Sequence, residues 1–260
     1  VALFILLLVL GLCIGSFLNV CIYRLPRDMS VVKPHRSFCT SCKRQLGSLE
    51  NIPVLSWVLL GGKCKGCKEK ISGRYPLVEL LSGAAMLLSF VSFGLTPTAL
   101  VVYLLTATLI VISLIDFDFK IIPDVINLPG VVIGLLIAVV QHFFQIFTYP
   151  VTSGIVDSLI GLLIGGGFFL VIGEVYYRLT KREGIGGGDI KFLAMTGAIL
   201  GWRSVAPTIF VGSFVGAIVG LLIMFFRGGD RQLEIPFGPY LALGVLIYLF
   251  TDLPFFRFPY

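Results

Sequence analysis

Long apolar runs separated by short polar joints dominate the chain. Runs near the ~20 residues needed to cross ~30 Å of hydrocarbon occupy residues 1–21, 76–93, 99–115, 125–141, 155–177, 205–226 and 237–253. A shorter run, 190–202, makes an eighth; at 1.5 Å per residue it reaches only ~20 Å. The pattern predicts an all-α polytopic membrane protein of about eight transmembrane helices, with one long polar loop between the first two. The first run is expected to stay as an anchor. It ends in Asn19-Val20-Cys21-Ile22-Tyr23-Arg24 rather than at a small-residue cleavage site, and polar Ser16 and Asn19 interrupt it.

Composition strengthens this picture. With 57% hydrophobic and 13% charged residues and a mean hydropathy of +1.00, too little polar surface exists to wrap a water-soluble domain. The membrane lipid is therefore a partner. The net charge of +6 does not point to nucleic acid, because the basic residues flank apolar runs instead of lining an aromatic-studded groove. Eleven of the 20 Lys and Arg lie in 24–74, and with eight crossings only Arg203 and Arg257 fall on the opposite side. The positive-inside rule then makes the basic side cytoplasmic and puts both termini outside. If 190–202 does not cross, the last two spans invert.

The polar loop holds Cys39-Thr40-Ser41-Cys42 and Cys64-Lys65-Gly66-Cys67, with 21 residues between the pairs. Two C-x-x-C knuckles offer four thiolates to one tetrahedral zinc ion. Two disulfides or free thiols are the alternative; stable disulfides are rare on a reducing face. No fifth ligand leaves an open position, so Cys39, Cys42, Cys64 and Cys67 are expected to hold a structural zinc. Cys13 and Cys21 are expected to be packing residues of the first span.

Two acidic stretches carry candidate catalysis. Asp116, Asp118 and Asp124 lie where the third span leaves and the fourth enters; Asp189 follows Gly186-Gly187-Gly188. Acids at a membrane edge are costly and point to function. A plainer reading also fits: Asp189 capping a helix, Asp124 starting one, Asp116 and Asp118 marking a boundary beside Lys120. Two carboxyls within reach would share a proton and perform aspartic-peptidase chemistry, and the glycines would let a substrate backbone approach. Glu174 and Asp157 are the remaining membrane acids, Glu174 being either functional or a partner of Arg178 at i+4. Other catalytic sets are missing: the sequence has two His, His35 and His142, no H-E-x-x-H, and no Gly-x-Ser-x-Gly. An Asp-relay proton carrier and a membrane-anchored zinc scaffold remain as rival classes.

Taken together, Gly15-Ser16-Phe17-Leu18-Asn19 through Arg24-Leu25-Pro26, the two Cys pairs, Glu50-Asn51-Ile52-Pro53, Arg74-Tyr75-Pro76-Leu77-Val78-Glu79, the Asp-x-Asp…Pro-Asp segment and Gly-x-Gly-Asp-x-Lys resemble the type IV prepilin peptidases. The resemblance implies an aspartic leader peptidase with Asp116 and Asp189 as the catalytic pair. Asp118, Asp124, Gly186, Gly188 and Lys191 take supporting roles. It further implies cleavage of basic leaders from prepilins or pseudopilins at the bacterial inner membrane, then methylation of the new N-terminus with S-adenosylmethionine. The implied division is 1–75 for the anchor, zinc loop and methyltransferase-associated region, and 76–260 for the peptidase. Gly187 departs from the family, many of whose members carry an aromatic residue there.

Overall fold

The computed structural model describes residues 1–34, 36–181, 186–227 and 235–251. Ten α-helices form among them: α1 Ala2–Arg24, α2 Leu55–Leu59, α3 Arg74–Phe93, α4 Pro97–Phe119, α5 Asp124–Phe144, α6 Ile155–Leu162, α7 Phe169–Thr180, α8 Gly187–Leu200, α9 Val205–Arg227 and α10 Gly238–Phe250. A π-helical turn, Leu163–Phe168, joins α6 to α7. Each of the eight predicted membrane runs holds a helix among the described residues; residues 252 and 253 of the last run lie outside them. Among the described residues, six helical segments are long and apolar enough to cross a bilayer, so the protein is a multi-pass membrane protein.

Two boundaries differ from the sequence pattern. The short run ends at Leu200 rather than at Trp202, because Gly201 leaves the helix at φ +81° and Trp202 begins a separate 3-10 turn. The last helix spans only 13 residues, so it shares the shortness expected of α8 alone.

The chain divides into two compact units. Unit one comprises Val1–Leu95 with Tyr103–Val111, and unit two comprises Thr96–Val102 with the chain from Ile112 onward. In unit one, α1 and α3 approach closely because glycines face the partner helix. A Cβ on Gly15 would stand 2.6 Å from the Glu79 backbone, and one on Gly11 would stand 2.8 Å from Gly83. Small residues allow such contact where apolar lipid gives helices no hydrophobic reason to associate. The Ser82 hydroxyl adds a bond to the Gly11 carbonyl at 2.7 Å and lies 3.0 Å from the Tyr103 hydroxyl. Cys13, expected to pack, is exposed; Cys21 is half-buried. Cys13 sits two residues past Gly11 and so points away from the face that meets α3.

In unit two, α8 is enclosed by α5, α6 and the π turn. Phe192, Leu193, Met195 and Ala198 are buried. The Gly-x-x-x-Gly spacing of Gly161 and Gly165 brings the α6 backbone against Gly197 and Leu193. A helix too short to span comfortably is thereby buried in protein. Large apolar side chains on α5 and α9, among them Val132, Leu136, Phe210 and Leu221, are exposed, as lipid-facing positions are.

Candidate active site and metal centre

The polar loop of unit one contains two knuckles built to one plan. In the first, Cys39 N–H donates to Arg44 O, Lys43 N–H donates to Cys39 O, and Lys43 adopts a left-handed conformation. In the second, Cys64, Glu69 and Lys68 occupy the equivalent places with the same bonds. One antiparallel bridge closes each knuckle, Phe38 with Gln45 and Lys63 with Lys70. The four sulfurs lie within 4.8 Å of one another, and Cys39 Sγ is 3.8 Å from Cys67 Sγ. A tetrahedron with Zn–S bonds of ~2.3 Å has edges of ~3.8 Å, so the donor set fits the ion. All four thiols are unbridged. Backbone N–H groups of Cys67 and Gly66 point at Cys64 and pull its thiol down to about 6, which favours the thiolate that a metal needs. Arg44 binds both oxygens of Glu50 at 3.0 Å, tying the first knuckle to the turn at 48–51.

The acids of unit two gather at three helix ends. Asp116 lies in the last turn of α4 with 5% of its surface exposed. Its Oδ2 accepts the backbone N–H of Gly238, the first residue of α10, at 2.7 Å. Lys120 then takes a left-handed conformation that ends α4, and the following turn places buried Ile122 against Gly188, where a Cβ would meet it at 3.1 Å. Asn127 of α5, also buried, donates to Gly188 O at 3.4 Å. The turn after α4 thus packs on the glycines that open α8.

Asp189 stands in the first turn of α8. The helix cap is Gly186, which makes no side-chain cap bond, so the capping alternative for Asp189 is not what forms. A Cβ on Gly186 would come within 2.7 Å of Asp189 Oδ2; glycine leaves the carboxyl room. Asp116 and Asp189 are close enough to interact electrostatically. Two stretches of chain over seventy residues apart therefore converge. Gly184 and Ile185, just before this motif, lie outside the described residues, as does His35.

The supporting acids divide. Asp124 opens α5 and receives Lys191 Nζ at 2.7 Å on both oxygens, at an exposed position. Asp118 is exposed on the same turn of α4 as Asp116. Asp157 is a structural clamp: it accepts Ser153 N–H at 2.8 Å, the Thr152 and Ser153 hydroxyls at 3.1 Å, and Trp202 N–H at 3.2 Å. Glu174 pairs with Arg178 at 2.7 Å on the surface.

Sequence reasoning overlooked Gly238, Asn127 and the buried acid Glu79. The Pro236-Phe237-Gly238-Pro239 stretch signals a helix start, but nothing local reveals that its N–H reaches Asp116. Asn127 inside an apolar run was the readable sign of a buried contact.

Comparison with known proteins identifies the family. The model of the bacterial peptidase A24 N-terminal domain matches residues 9–93, and that of the type IV leader peptidase family matches residues 103–221. The chain is similar to proteins named prepilin leader peptidase/N-methyltransferase. One from Pseudomonas putida is 38% identical over 90% of this chain and 86% of its own length. One from Stutzerimonas stutzeri is 39% identical over 91% and 86%, and one from Aeromonas hydrophila 38% over 92% and 88%. No solved structure matches.

Proposed function

The chain belongs to the type IV leader peptidase family, and on that premise we propose that Asp116 and Asp189 are the catalytic pair of its peptidase. The enzyme removes the leader from prepilins and N-methylates the amine that cleavage frees. The observation that supports the assignment is the electrostatic interaction of buried Asp116, at the end of α4, with Asp189, in the first turn of α8.

Two carboxyls at close quarters hold one proton between them. The ionised member takes a proton from water as its oxygen attacks the scissile carbonyl, and the protonated member donates to the carbonyl oxygen. Collapse of the tetrahedral species expels the amine, which leaves with a proton from the pair. The Gly238 N–H bond fixes one oxygen of Asp116, Gly186 leaves room for the Asp189 carboxyl, and Gly188 lets Ile122 seat against the start of α8. The Asp124–Lys191 pair ties the start of α5 to α8 and so supports the acid two residues earlier.

The substrates are type IV prepilins or pseudopilins held in lipid, with the basic leader inside the cell. The protein sits in the bacterial inner membrane with both termini outside and the acid-bearing ends cytoplasmic; that orientation puts the acids where the scissile bond emerges. Residues 1–75 supply the anchor and a structural zinc in the Cys39, Cys42, Cys64 and Cys67 site, and serve methyl transfer; residues 76–260 carry the peptidase. S-adenosylmethionine supplies an electrophilic methyl group. Nucleic acid has no part in the reaction. A proton carrier is disfavoured, because its relay acids belong near mid-membrane, whereas Asp116 and Asp189 lie at helix ends.

The test is mass spectrometry of a co-expressed prepilin, which reads leader loss and the added methyl together. Asp116→Ala and Asp189→Ala are each expected to abolish leader removal while zinc content and membrane yield persist. Processing at the normal rate by either variant would remove that residue from the pair.

A further inference from the structure

Unit one encloses a cavity of about 430 Å³ between α1, α3 and the polar loop, within the ~300–1,000 Å³ range of small-molecule sites. Polar and aromatic side chains line it, among them Ser16, Asn19, Tyr23, Trp57, Tyr75 and Glu79. Several are locked by other bonds: Trp57 donates to Ile71 O at 3.0 Å and Asn19 to Tyr75 O at 3.0 Å. The walls are therefore preformed.

Glu79 is the unusual member. It is 92% buried, yet its carboxylate meets only neutral donors, the Val54 N–H at 2.7 Å and the Ser16 hydroxyl. A carboxylate taken out of water without a counter-charge is expensive, and a cationic ligand in the cavity offsets that cost. Aromatic faces on the same wall suit a cation and a flat base as well.

Resting on the methyltransferase reading above, we infer that this cavity binds S-adenosylmethionine and that Glu79 faces the cationic centre where the methyl group passes to the pilin α-amine. The incoming α-ammonium gives its proton to Glu79, the free amine nitrogen forms a bond to the methyl carbon, and the carbon–sulfur bond breaks with its electron pair staying on sulfur. The products are the methylated ammonium, neutral S-adenosylhomocysteine and protonated Glu79, which returns its proton to water. Glu79 adds the first turns of α3 to the methyl-transfer half of the protein.

Two variants test this in the full-length, zinc-loaded protein in detergent. Glu79→Gln keeps an acceptor for the Val54 N–H and removes the charge. It should bind S-adenosylhomocysteine, which lacks the sulfonium charge, as wild type does in equilibrium dialysis, while the methylated fraction of cleaved pilin falls by roughly tenfold or more. Ser56→Trp, from α2, fills the cavity and should weaken S-adenosylhomocysteine binding by roughly tenfold or more along with methylation. Leader removal reports folding in both. Wild-type methylation by Glu79→Gln, or wild-type binding by Ser56→Trp, overturns the inference. If Glu79→Gln does not fold, the Ser56→Trp dialysis alone decides it. A wild-type protein that cleaves but neither methylates nor binds the probe instead defeats the methyltransferase reading.

Discussion

The backbone N–H of Gly238 donates to Asp116 Oδ2 at 2.7 Å, joining α10 to the end of α4 across 122 residues of sequence. Gly238 is required by space as well as by its N–H: a Cβ there would lie 2.8 Å from Asp116 Oδ2 and 3.2 Å from its Cγ. Gly238→Ala is therefore expected to push the carboxyl aside and slow leader removal on the order of 10²-fold, with helix content unchanged by circular dichroism. Normal rates in a detergent assay would mean that this bond does not position the acid.

The Asp124–Lys191 pair is half-exposed at both ends, 53% and 41%. Exposed pairs contribute ~0–1 kcal/mol, so Lys191→Met should barely move the thermal midpoint. Its effect should appear instead as slower leader removal with little change in apparent affinity, because the pair orients the start of α8. A large drop in midpoint with intact activity would contradict this.

For the metal, one zinc per chain is expected by elemental analysis at neutral pH. The Cys64 thiol is depressed to about 6, so the thiolate and its contribution to metal binding are fully present above the unfolded thiol range. They are lost as pH falls through about 6. Zinc content should accordingly drop below that pH, and Cys39→Ser with Cys64→Ser should eliminate it and lower membrane yield. Full metal in that double variant would exclude the site.

Gly161→Leu should destabilise unit two, since a Cβ there would clash with the Gly197 carbonyl oxygen. Overpacking of this kind costs about 1–3 kcal/mol. Because α8 carries Asp189, leader removal should fall together with the thermal midpoint. Loss of one without the other would show that α6 does not seat the acid.

Much of this was legible in one dimension. The apolar runs marked every membrane helix, since a segment that crosses hydrocarbon must bond its own backbone and present apolar side chains along its whole length. The Cys-x-x-Cys spacings marked the knuckles, because each is a local turn, and carboxylates at helix ends marked the acid site. What escaped were contacts made at a distance. Asp157 read only as a remaining membrane acid, with no role, until its bonds to Ser153 and Trp202 were in view. Glu79 read as part of a motif, and only packing of α1 and the polar loop against α3 reveals it as a buried charge facing a cavity. Asp116 and Asp189 were legible as a possible pair, yet only Ile122 and Asn127 seating against Gly188 reveals that the turn after α4 packs on the start of α8. Hydropathy and covalent spacing are properties of neighbouring residues, so the chain alone determined the helices, the membrane and the metal knuckles. Which carboxylates come within electrostatic reach of each other, which glycine lies against which acid, and where an acid is buried without a counter-ion were decided by tertiary packing, because the partners approach only after the helices associate.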